Sequence, residues 1–247
     1  MGLVPEFKSY LIVGNGRAAK HLVHYFQLLS SQIPFYRWYR DPSDFNNSKM
    51  LDFMLAQASH VILAISDSEI ASFVEKTPAL EGKCLIHLSG ALEVRGVFAA
   101  HPLMTFTNEL YDFDVYKKMA FVLSAGSPPF SQLFPHLGNA NYEIPVDKKA
   151  LYHALCVLSG NFTSLLWKKT FSEFESQLSL PKEILFPYLQ QISANLQKNS
   201  GDALTGPLAR RDFATIDKNL EALQGDPFRF VYQAFVTATL NASGGPK

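Results

Sequence analysis

Between Val13 and Lys20 the chain reads Gly14-Asn15-Gly16-Arg17-Ala18-Ala19, directly after the apolar run Tyr10-Leu11-Ile12-Val13. In this spacing each small residue has its own task. Gly14 makes a tight turn off a strand, Gly16 lets the backbone approach a diphosphate with no Cβ in the way, and Ala19 lets the following helix pack close to the sheet. Asn15, Arg17 and Ala18 complete the loop. The helix N-terminus would point unpaired N–H groups and the positive end of its dipole at the phosphates. The chemistry implied is the grip of a dinucleotide.

Further polar residues fall where a second strand and its successors would end. Arg37-Trp38-Tyr39-Arg40-Asp41 stands where an acidic residue would otherwise accept from an adenosine ribose. Tyr39 and Arg40 at that strand end fit a 2′-phosphate, to which a guanidinium binds bidentately, so the expected cofactor is NADP. A register shift of one residue would bring Asp41 into place and make it NAD, and a solvated Arg-Asp pair opening a loop is a third reading. Ser66-Asp67 and Ser89-Gly90 close two further apolar runs and would line the path toward a nicotinamide ribose, although Asp67 or Ser68 could equally cap a helix. His101, held in an extended conformation by Pro102, is a candidate proton donor at a cleft wall. A structural histidine bonded to backbone is the alternative.

Positioning these residues requires strands and helices in alternation. Strands are expected at Tyr10–Val13, Phe35–Tyr39, His60–Ser66, Cys84–Ser89, Ala120–Ser124 and Asn141–Ile144. Helices are expected near Arg17–Leu29, Lys49–Ala58, Ser68–Glu75 and Pro128–Leu137, the last capped by Ser127. Such βαβ alternation implies a mostly parallel, Rossmann-type sheet with helices on both faces. After Pro145 only helical patterns follow, one opened by Pro181, bent at Pro187 and ended by Gly201, and another started by Asp226-Pro227. The expected organisation is an α/β dinucleotide-binding domain over residues 1–146 and an all-α domain over 147–247. The stretch from Lys149 to Trp167 is apolar nearly all round. It therefore needs cover on every side, as a central helix or as part of a subunit interface.

Composition narrows the partners. Lys and Arg number 22 against 22 Asp and Glu, so no strong field draws the protein to nucleic acid or an anionic membrane, and a small molecule fits better. Cys84 and Cys156 lie in apolar runs and read as buried free thiols, with no metal-binding spacing. No apolar stretch is long enough to span a membrane and the start of the chain has no leader pattern, so a cytoplasmic protein with a frayed tail from Ser243 to Lys247 is expected.

Taken together, G-N-G-R-A-A after the first strand, L-S-G-A-L, A-H-P-L-M-T-F, Y-H-A-L-C-V-L-S-G-N-F and A-L-T-G-P-L-A-R-R-D resemble a family of bacterial proteins. Its members join a Rossmann-like domain to a C-terminal helical domain of unknown function, numbered 2520, within the 6-phosphogluconate dehydrogenase-like superfamily. The resemblance implies NAD(P)-dependent redox chemistry at a cleft between two domains, in a homodimer interlocked through the helical domain. Many enzymes of that superfamily carry a Lys and an Asn one turn apart on the first long helix. Here Lys148 and Lys149 precede the helix and the polar pair is His153 and Asn161, roughly 12 Å apart along the axis at about 1.5 Å per residue, too far to hold one substrate atom together. Arg210, in a turn between helices, is a candidate grip for a substrate carboxylate or phosphate. The related sequences usually have Gly after this arginine, where this chain has Arg211.

The reading that joins these features is an NADP-dependent oxidoreductase acting on a small, anionic carbonyl or imine compound, with His101 or His153 as proton donor. Of His153 and Asn161, one lines the reaction centre while the other binds a distal group or is a satisfied core polar residue. The missing helix lysine supports the rival reading, a non-catalytic nucleotide-binding module that senses redox state or a metabolite.

Overall fold

The computed structural model describes residues 4–29 and 33–243, so most of the expected frayed tail lies outside the described residues. By packing, the chain forms two units, Met1–Ser164 and Leu165–Lys247.

The first unit is built on seven strands: β1 Tyr10–Val13, β2 Phe35–Trp38, β3 His60–Leu63, β4 Cys84–His87, β5 Phe98–Leu103, β6 Ala120–Ser124 and β7 Asn141–Ile144. They lie in the order β2-β1-β3-β4-β5-β6-β7. Pairing is parallel throughout except between β5 and β6, so the sheet is Rossmann-type and mostly parallel. Every residue of β1, β3 and β4 is buried, as central strands covered on both faces require. The period of two divides their side chains between two cores. Tyr10 and Ile12 pack with Leu22 and Phe26 of helix α1, Arg17–Leu29, on one face. Leu11 and Val13 pack on the other with Leu55 of α2, Asn47–Gln57, and Ile70 of α3, Asp67–Lys76. Two short helices, α4 Phe113–Lys118 and α5 Phe130–Leu133, complete the layer around β6.

Several elements differ from expectation. No strand is expected between Ser89 and Ala120, but Phe98–Leu103 forms β5, in which His101 lies opposite Val122. Pro102 is tolerated because β4 pairs only with Phe98 and Ala99, so its missing N–H leaves no acceptor unpaired on that side. Helix α5 is shorter than expected: Ser127 makes no cap, because Pro128 and Pro129 keep the chain extended until Phe130.

After β7 the chain enters α6, Lys149–Cys156, continues through a wider π-helical segment, Val157–Phe162, and returns to α-helix in α7, Thr163–Ser176. In the second unit α8 covers Phe186–Lys198, α9 Gly206–Arg210, α10 Phe213–Ala222 and α11 Phe228–Ser243. Pro187 was expected to bend α8, yet it stands in the first turn, where its missing N–H costs nothing. Asn199, not Gly201, caps the end of that helix. Lys169 bridges Glu173 and Asp226, and Ile216, Leu220 and Val236 form a small core.

Gly14 is the tightest point of the sheet. Its φ is +141°, and a Cβ there would lie 2.2 Å from the carbonyl oxygen of Ala64. A Cβ at Gly16 would meet no atom within 4 Å. Gly14→Ala should therefore lose about 3 kcal/mol of folding stability, whereas Gly16→Ala stays within about 1 kcal/mol of the parent. Urea titration checks this, and equal stabilities for the two variants would contradict it.

Candidate functional site

A cleft of about 1600 Å³, lined by residues between Val13 and Ser164, opens at the carboxyl ends of the parallel strands. It begins where β1 lies between β2 and β3, the point at which strand order reverses and open α/β sheets bind ligands. Gly14 N–H donates to Trp38 O and Ala64 N–H to Val13 O, both at 2.8 Å, which fixes the loop between its neighbours. From below, Arg37 Nε donates to Gly14 O at 3.3 Å and its guanidinium also holds the Asn15 side chain, while it stacks on the Tyr39 ring. The first intrahelical bond of α1 is Lys20 N–H to Gly16 O, so the preceding amides have no intrahelical acceptor. The first turn carries no carboxylate that would repel an anion. Gly14, Asn15, Gly16, Arg17 and Ala18 line the cleft; Ala19 lies buried behind them and lets α1 sit against the loop.

Beyond the loop the wall carries Tyr39 and Arg40, then Asn47, Ser48 and, from α3, Ser72 and Lys76. Asp41 is turned into its own loop, where its carboxylate accepts from Ser43 N–H at 2.9 Å and from Ser43 Oγ at 2.6 Å. Those two bonds hold its pKa below the usual range. Arg40 and Lys76 thus join Arg17 of the loop as cations lining this end. Lys76 escaped the sequence reading because only the length of α3 brings it here.

Ser66 occupies the N-cap position of α3 and lines the cleft, so neither Asp67 nor Ser68 is the cap residue. Asp67, Ser89 and Gly90 are not in the lining. Ser89 Oγ donates to Asp67 Oδ2 at 2.5 Å and accepts from the amides of Ala91 and Leu92, so the pair ties the end of β4 to α3. Gly90 serves by its lack of a side chain, since a Cβ there would lie 2.9 Å from His153 Cδ2 and 3.2 Å from His101 Nε2.

Both histidines line the far end of the cleft, their ring centroids 6.5 Å apart. His101 Nδ1 bonds the hydroxyl of Tyr152 at 2.7 Å. Burial of its ring, followed by the positive charges of His153 and Lys149, lowers the His101 pKa to about 4. The imidazole is therefore neutral near pH 7 and offers a hydrogen bond there, in place of the ionisable proton that the proton-donor reading expects. Lys149 itself is buried, its ammonium held by Glu93 Oε1 and Leu92 O, each at 2.5 Å. The π-helical segment brings Ser159, Gly160 and Asn161 to the same wall, and such segments recur at functional sites. Cys156 also lines the cleft, only half-buried, in contrast to the buried thiol expected. Tyr152 was missed because its partner lies 51 residues away in sequence.

On the opposite face of this helix Leu151, Leu155, Leu158 and Phe162 are each about half exposed, in a stripe rather than the complete cover expected. Arg210 is exposed at the end of α9, a short helix where a turn was expected. Arg211 after it takes φ +54°, the conformation that glycine would supply, at a cost of about 1–2 kcal/mol.

Residues 124–239 match a family described as Domain of unknown function (DUF2520). No curated protein matches the chain. Its fold is similar to that of BF3122 from Bacteroides fragilis, provisionally assigned as an NADP oxidoreductase, with a TM-score of 0.73 at 18% identity over 95% of this chain and 98% of that one. Protein TM1727 from Thermotoga maritima gives 0.64 at 19%, over 94% and 97%. Pyrroline carboxylate reductase from Plasmodium falciparum, with NADP bound, gives 0.57 at 12%, over 96% and 97%. At these identities the likeness is one of fold. No helix among the described residues is long and apolar enough to cross a membrane.

Proposed function

We propose that the protein is an NADP-dependent oxidoreductase that reduces or oxidises a small carbonyl or imine compound. The observation that carries this reading is one continuous cleft, with a glycine loop and Arg40 at one end and two histidines at the other. The residues fit the dinucleotide. Open space over Gly16 accepts a diphosphate, the amides at the start of α1 bind it, and Arg40 takes a 2′-phosphate while Asp41 is engaged with Ser43. When bound, the nicotinamide would supply or accept the hydride. His101 or His153 would hold the substrate's reacting oxygen or nitrogen through a ring N–H, and Asn161 would bind a more distal group of the substrate. The fold similarity to an NADP-bound reductase supports the same assignment.

One observation favours the sensor reading: Lys149 is buried in its pair with Glu93 and offers no ammonium to the cleft. Turnover of NADPH with any carbonyl or imine compound decides between the two.

Replacing Arg40 with Ala should weaken NADPH binding by about 1.5 to 3 kcal/mol, the loss of a charge-assisted bond, and leave NADH binding nearly unchanged. Calorimetric titration that shows equal losses for both, or tighter NADH binding by the parent, would overturn the assignment of Arg40.

The stripe Leu151, Leu155, Leu158 and Phe162 supports a homodimer through the helical part of the chain, since spacings of four, three and four residues keep these side chains on one face. Light scattering at micromolar concentration should give twice the chain mass of 27.6 kDa. The monomer mass would rule the dimer out.

A further inference from the structure

His21 and His60 show how this fold treats a histidine that only supports structure. His21 bonds Tyr116 Oη and Thr107 O, and His60 bonds Ser59 Oγ and Gln132 O, so both ring nitrogens of each are engaged. His101 is different. Nδ1 bonds Tyr152, whereas Nε2 has no hydrogen-bond partner among the described residues. Nor is Nε2 sealed off: the enclosed, unpartnered side-chain atoms among those residues are Tyr10 Oη and His87 Nε2. His101 lines the cleft, and Nε2 is the ring nitrogen left for a group bound there. Gly90 keeps it open, because a Cβ there would come within 3.2 Å of Nε2.

We propose that Tyr152 is a positioning residue that donates its hydroxyl proton to His101 Nδ1, so that Nε2–H is the donor presented to the substrate's reacting oxygen or nitrogen. The inference rests on the oxidoreductase reading for its purpose, though not for its geometry.

A neutral imidazole has one donor nitrogen and one acceptor, and its partners decide which is which. The separation of 2.7 Å is typical of a hydroxyl donor and short for a ring N–H donating to oxygen. Cys156, one turn further along α6, lies beside the Tyr152 hydroxyl. If the imidazole donated, the hydroxyl proton would be left to a thiol sulfur, a weak acceptor; if the hydroxyl donates, it meets a ring nitrogen, a much better one. The second arrangement also leaves the phenolic oxygen free to accept from the thiol. Burial holds the Tyr152 phenol well above its usual pKa, so its proton stays in place near pH 7. Tyr152 lies outside the cleft lining and acts through His101 alone.

The test is ¹⁵N NMR of the full-length protein labelled in its imidazoles, at pH 7, with His101 assigned by loss of its signals in His101→Gln. The expected parent spectrum has a protonated Nε2 and an unprotonated Nδ1 for His101. In Tyr152→Phe the preference should relax toward a mixture of tautomers, with a fall in kcat of about 10- to 100-fold and little change in KM, as when an orienting partner of a histidine is removed. A protonated Nδ1 in the parent overturns the proposal even if the variant does not fold, and an unchanged tautomer in a folded Tyr152→Phe overturns it too. The expected NMR result without NADPH turnover on any carbonyl or imine would overturn the oxidoreductase reading and leave the tautomer assignment standing.

Discussion

Where β1 gives way to α1, the chain passes between two strands with no room for a side chain. The Gly14 amide bonds Trp38 O on one side, and on the other the Ala64 carbonyl stands where a Cβ would be. That passage aims the first turn of α1 into the crevice between β1 and β3 and leaves the space over Gly16 open. Arg37 braces the turn from beneath through Gly14 O and the Asn15 side chain. Its guanidinium is thus committed to the loop, and Arg40 is the residue of that strand end free to meet a ligand. A larger residue at position 14 would disturb the strand pairing and the anion site together.

The two ends of the cleft differ in charge for physical reasons. Arg17, Arg40 and Lys76 line one end, where contact with water keeps cations inexpensive. At the other end burial keeps His101 neutral, and Lys149 is satisfied by Glu93 and a carbonyl before it reaches the cleft. Beside the His153 ring, neutral hydrogen-bonding groups are left: the His101 imidazole, the Asn161 amide and the hydroxyls of Ser159 and Ser164. The serine hydroxyls already donate to Leu155 O and Gly160 O in the helix, so they can serve a ligand only as acceptors while those bonds persist.

Much of this was legible in the sequence where local chemistry decides the outcome. The bounds of β1, α1, β6 and β7 match those read from glycine spacing and short runs, and the mostly parallel character of the sheet follows from the βαβ pattern. Legibility failed where partners are distant. Phe98–Leu103 contains a proline and a histidine and resembles a loop; its strand character comes from the antiparallel partner β6, which no local pattern announces. Ser89 and Asp67 were read as following strand ends, but β4 closes at His87 and β3 at Leu63, and the hydrogen bond between the two side chains is set by the approach of β4 to α3. The positive φ of Arg211 was foreshadowed by the glycine of related sequences, and Tyr152 by nothing in its own neighbourhood.

The central claim is that one cleft holds the dinucleotide from Arg40 to His101. A crystal structure of the protein grown with NADPH tests it most directly. The account predicts the 2′-phosphate on Arg40, the diphosphate over Gly16 and the amides that open α1, and the nicotinamide ring beside His101 and His153. A 2′-phosphate remote from Arg40, or a ring far from both histidines, would contradict it.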